Sequence, residues 1–148
     1  MIRRTALAVI ALVLLAACSG AATVSGGTQA SAPPTVVELL DAADATVLDQ
    51  PVEYPTGGTA EISSAVLTLQ PGEKTGWHHH EAPLYAHILE GEITVDYRDH
   101  GSRTYAAGES LMEAVDVSHN GHNDGDQPVK ILVVNLGAAG VDNTVPDE

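Results

Sequence analysis

The 148-residue chain contains no phenylalanine, four tyrosines and one tryptophan. A core built from it must rest on Val, Leu, Ile and Ala, with the few aromatics at its edges. It has one cysteine, Cys18, so no intramolecular disulfide can staple the fold, and no cysteine cluster exists to hold zinc. Basic residues number six against twenty acidic ones, a formal net charge of −14. Such a surface offers no basic face for phosphate and excludes nucleic acid as a natural partner. No nucleophile triad, phosphate-binding loop or dinucleotide fingerprint is present.

The first segment reads as a targeting element. Arg3 and Arg4 precede a nearly unbroken apolar run over residues 6–17, too short for the roughly 20 residues of a membrane-spanning helix but suited to a secretory leader. The run closes on Leu15-Ala16-Ala17-Cys18. This pattern resembles a bacterial lipoprotein signal, which implies removal of residues 1–17, lipidation at Cys18 and an extracytoplasmic, membrane-anchored location. Loss of the leader would remove two basic residues and no acidic ones, deepening the net charge to −16. Residues 18–34 are Ala, Gly, Ser, Thr and Pro with almost no large apolar side chain, the composition of a flexible tether.

From residue 35 onward the chain is one domain's worth. Residues 35–45 suit either a short helix or an edge strand. Alternation and β-branched content then predict strands over residues 46–48, 61–69, 85–89, 92–97, 103–105, 110–113 and 129–136. Turn residues separate them: Pro71-Gly72, Glu90-Gly91, Asp99-His100-Gly101 and Asn123-Asp124-Gly125-Asp126. Short strands with no helix-length periodic segment between them indicate an all-β sandwich or barrel. The tail beyond Ala138, residues 139–148, reads as loose.

The chemistry sits in Trp77-His78-His79-His80-Glu81 and, forty residues later, Ser118-His119-Asn120. His78 and His80, two apart on a strand, share one face of a sheet. A third histidine from a distant strand, His119, can close a tripod around a cation. By the same alternation His79 points away.

These residues also fall on a recognisable spacing. Gly72, five residues, His78-x-His80 and then Leu89-Glu90-Gly91 form one block. Gly108, five residues, Ala114-x-Asp116, two residues, His119, three residues and Asn123 form the other. Together they resemble the two motifs of the cupin superfamily in a small single-domain form, over residues 61–137. The resemblance implies a single jelly-roll β-barrel spanning residues 35–138, with one divalent transition metal (Fe, Zn, Mn, Cu or Ni) held by His78, His80 and His119. It also implies pairing into a homodimer.

Two departures from the pattern stand out. Ala114 and Asp116 replace the usual Pro and Gly of the second motif, and the usual metal-binding Glu of the first falls at Leu84, which cannot ligate. Glu81 is either a substitute for that carboxylate or a rim charge. Glu113, Trp77 and Tyr85 are candidates for the pocket wall. His122 is expected as a donor behind the ligands or as a surface residue, and Asn123 as a loop hydrogen-bonding residue. His87 has the opposite parity to Leu84 and belongs outside the sheet.

Three neutral protein ligands leave coordination positions open for a small organic molecule. The residues fit a metal-dependent oxygenase, hydrolase or isomerase, and equally a non-catalytic metal- or metabolite-binding protein at the cell surface.

Overall fold

The computed structural model describes residues 32–148; the leader, Cys18 and most of the tether lie outside the described residues. Residues Val36–Glu148 form one compact unit, and its secondary structure is all β. In chain order the strands are β1 Ala60–Leu69, β2 His78–His79, β3 Leu84–Glu90, β4 Glu92–Tyr97, β5 Gly101–Ala106, β6 Ser110–Met112, β7 His119–His122, β8 Val129–Ala138 and β9 Val145–Pro146. They make two antiparallel sheets, β1-β8-β3-β6 and β5-β4-β7-β2-β9. The expected all-β jelly roll is the fold observed.

Alternation explains the layers. On β4 the residues Ile93, Val95 and Tyr97 are buried while Glu92 is exposed and Thr94 and Asp96 are half-buried, the period-two pattern of a strand with one face on the core. On the facing sheet Leu84, Ala86 and Ile88 of β3 and Val129 and Ile131 of β8 point the same way inward. No phenylalanine reaches across from either sheet, and the aliphatic side chains leave the barrel's interior open rather than filled.

Turns are set locally. Gly91 joins β3 to β4 with φ +77°, and a Cβ there would lie 2.8 Å from the carbonyl oxygen of Pro128, so only glycine fits. A register shift between Ile88 and Glu90 bends β3 just before this hairpin. In the second motif Asp116 takes φ +55°, adopting the left-handed conformation that the glycine it replaces would supply.

Several expectations change. Residues 35–45 are neither helix nor strand. Residues 46–48 are not a strand of either sheet: an isolated bridge joins Ala45 and Pro51, and Val47 N–H donates to Met112 O at 2.9 Å. The side chain of Gln50 clamps this segment to Val115, donating to its carbonyl at 2.7 Å and accepting from its N–H at 3.1 Å.

The tail is not loose. Val145–Pro146 pairs with β2, and Asp147 N–H donates to Trp77 O at 2.9 Å. A two-residue strand containing proline gives no alternation to read, so the sequence hides this docking.

Candidate metal centre

His78 and His119 are cross-strand partners, the one register pair between β2 and β7. His80 lies just past the end of β2, on the same face as His78. One ligand nitrogen from each of the three lies within 4.8 Å of the others, and the ring centroids are 4.4–5.0 Å apart. This is the tripod expected from the i, i+2 spacing and a distant third histidine.

The hydrogen bonds fix which nitrogen is available. Nδ1 of His78 donates to Gly76 O at 2.9 Å, Nδ1 of His80 to Asn143 O at 2.6 Å, and Nδ1 of His119 to Val117 O at 2.8 Å. A carbonyl oxygen only accepts, so each Nδ1 carries the proton and each Nε2 presents a lone pair. Three carbonyls thus orient three rings, the arrangement that tunes histidine for metal ligation.

Electrostatics agree. Burial lowers the pKa of all three rings. For His80, burial together with the nearby His119 and His78 brings it down to about 4; His78 and His119 move in the same direction, burial again the largest cause. At neutral pH the site is three uncharged imidazoles facing one another in a buried place. Lone pairs so converged gain most from a cation between them, and the donor set fits a divalent transition metal.

The tripod opens on a cavity of about 590 Å³ inside the barrel. Trp77 and Glu113 both line it. Trp77 is 38% exposed with the Arg98 guanidinium 5.1 Å from its ring centre. Glu113 is buried; its carboxylate accepts from Ala114 N–H at 2.8 Å, and burial pushes its pKa up. Its own N–H donates to Leu84 O at 2.8 Å, which sets it, one residue past the end of β6, beside Leu84 on the cavity wall. Tyr97, which no sequence pattern singles out, sets its ring centre 5.7 Å from that of His119, tilted by 36°.

Three candidates stand elsewhere. Tyr85 faces the outside of its sheet, its hydroxyl 3.0 Å from Ser110 Oγ. Glu81 is exposed and accepts from Asp142 N–H at 3.1 Å, so it does not replace the missing ligand. His122 is on β7 rather than in a loop, with parity opposite to His119. Its ring lies 3.2 Å from Asp96 and 2.9 Å from Asp124.

His87 occupies the outer face, as its parity requires, yet is buried there, its Nδ1 2.8 Å from Ser110 Oγ. His79 points away from the tripod, its Nδ1 2.8 Å from Asp147 Oδ1. Asn123 is fully buried and ties its loop together, donating to Leu69 O and Gln127 O and accepting from Gly125 N–H.

The residues sequence reasoning missed are those of the tail. Asn143 caps His80, Asp147 holds His79, and Thr144 and Pro146 line the cavity.

Residues 65–135 match the family described as Cupin domain. No curated protein matches the chain. Among solved structures it is similar to an oxalate decarboxylase from Lactobacillus farciminis in its formate complex, at 21% identity and TM-score 0.51 over 57% of this chain and 26% of that one. It is also similar to the DMSP lyase DddQ from Ruegeria pomeroyi DSS-3, at 22% identity and TM-score 0.50 over 57% and 42%. A third is an uncharacterized protein with a double-stranded β-helix domain from Klebsiella pneumoniae subsp. pneumoniae MGH 78578, at 16% identity and TM-score 0.51 over 63% and 76%.

The chain spans about a quarter of the decarboxylase and less than half of the lyase, and at these identities the likeness is one of fold. Residues 65–135 match a cupin domain, the barrel is the fold of the solved structures it is similar to, and that fold brings His78, His80 and His119 together as a group able to hold a metal ion.

Proposed function

We propose that this protein binds one divalent transition metal through Nε2 of His78, His80 and His119 and presents it to a small organic ligand. The observation that carries the reading is the set of three Nδ1–carbonyl hydrogen bonds, which leave three lone pairs aimed at one point. Three protein ligands leave positions open on the metal, the mark of a site that binds or transforms a ligand rather than a closed structural one. The large adjoining cavity supports the same conclusion. Imidazole suits Fe, Zn, Mn, Cu and Ni alike.

The leader pattern and Cys18 support export and lipid anchoring, with the acidic domain held outside the cytoplasm. Metal analysis of protein purified without a histidine tag tests the first part. About one metal per chain is expected, abolished in His78→Ala and His119→Ala and retained in His79→Ala and His122→Ala. Metal content unchanged by the first pair would refute the reading. Detergent partitioning of the full chain against Cys18→Ser tests the second.

A second reading, an oxygenase, draws on the all-histidine set and the open positions. Oxygen uptake by the iron-loaded protein on small thiols, diketones and phenolic acids separates it from binding alone.

A further inference from the structure

The wall of the cavity is chemically one-sided. Apart from the histidines at one end and the polar side chains of Thr75, Tyr105, Asn135 and Thr144, it is formed chiefly by aliphatic side chains from both sheets, among them Leu69, Leu84, Ile88, Ile93 and Ile131. Leu84, Ile88, Ile93 and Ile131 are buried core residues, so the cavity reaches into the interior of the barrel, while Val66 and Leu67 at its mouth are exposed. The one cationic side chain on the wall is Lys74, which is exposed. The one carboxyl among the described wall residues, Glu113, is buried and already accepts from Ala114 N–H.

A polyhydroxylated or dicarboxylate ligand would bury more polar groups along the aliphatic part of this wall than its few polar side chains partner, at a cost in affinity. An apolar body gains from leaving water, and the volume falls within the range of small-molecule pockets. The head end is different. Three neutral imidazoles leave the metal its full double positive charge, so an anionic donor is what the open positions attract.

We propose that the cavity takes a monoanionic ligand with an apolar carbon body, its carboxylate or phenolate head on the metal and its body along the aliphatic wall, and that Leu84 selects it. Leu84 is buried, lines the cavity together with the histidines and accepts a backbone hydrogen bond from Glu113. An aliphatic side chain there extends the apolar wall toward the metal end. The inference rests on the metal reading above and adds the ligand class to it.

The test titrates the cobalt(II)-loaded full chain with acetate, butyrate, hexanoate, benzoate and oxalate, following the cobalt absorption spectrum. Affinity should rise about three- to fourfold per methylene, roughly 100-fold from acetate to hexanoate. Hexanamide, which lacks the charge, should bind far more weakly than hexanoate. Leu84→Glu should keep the metal and lose the chain-length dependence. Should that variant not fold, the near-isosteric Val133→Thr, at a β8 residue that also lines the cavity, should weaken hexanoate severalfold and leave acetate unchanged.

A flat series on metal-loaded protein, or oxalate binding tightest, would overturn the ligand class while leaving the metal site standing. A chain that takes up no cobalt but shows the same slope by calorimetry would overturn the metal-held head, and with it the proposed function.

Discussion

The ring of His80 donates from Nδ1 to the carbonyl oxygen of Asn143 at 2.6 Å, across 63 residues of sequence. Around this bond five residues of the segment from 142 onward are tied to the ligand strand and its flanks. Asp142 N–H reaches Glu81, Val145 and Pro146 pair with His79 and His78, and Asp147 holds both the His79 ring and the Trp77 carbonyl. Gly137 makes room for it: a Cβ there would sit 2.5 Å from Asn143 Oδ1.

Deleting residues 143–148 should therefore loosen the metal site without dismantling the barrel, whose core residues all precede this segment. Partners that orient metal-binding histidines are worth about 10- to 100-fold in affinity. A cobalt titration should show a loss in that range, with the far-ultraviolet spectrum unchanged. Affinity equal to that of the full chain would show that the segment plays no part in ligation.

The three histidines make the metal-free protein sensitive to acid. Their pKa values are lowered in the fold, by burial first, so the unfolded chain binds more protons than the folded one below the ordinary histidine value of 6.5. Stability from this source is fully present above pH 6.5 and is lost as pH falls toward the folded values, about 4 for His80. His80 alone accounts for on the order of 3 kcal/mol. Urea midpoints measured from pH 7.5 to 4 should fall through this window, and His80→Gln should flatten the fall. Bound zinc should move the window to lower pH.

Asp116, at φ +55°, donates its N–H to His80 O at 2.9 Å. A β-branched residue pays more for that conformation than Asp does, and glycine pays nothing sterically. Asp116→Val should cost about 1–2 kcal/mol and Asp116→Gly less than about 0.5 kcal/mol, read from thermal unfolding. Equal losses for both would mean that the Asp carboxylate, not the backbone, is what matters there.

Much of this was legible in the sequence because period-two alternation is local. The bounds of β4 coincide with the expected 92–97, and the shared face of His78 and His80 follows from their spacing alone. Parity also puts His87 outside the barrel; Tyr85 read as a pocket-wall candidate by adjacency to the motif, although the same parity puts it outside, where it is found. What stayed hidden depends on long-range pairing. Nothing in Asn143-Thr144-Val145-Pro146 announces a strand, because its partner is a two-residue stretch with no pattern of its own. Glu81 read as a ligand candidate by adjacency, but in the structure it holds the tail. Glu113, a pocket-wall candidate from its place before the second motif, lines the cavity; it directly follows β6, which pairs with β3.

Strand β2 is only two residues long, pinned by one register pair to β7 and two to β9. β2 and β9, each two residues long, are thus the thinnest rungs of their sheet, while the ten-residue ladder between β1 and β8 is the longest. Amide protection should be lowest along those rungs. Metal could then enter and leave through brief local fraying, at a rate independent of how slowly the whole barrel melts.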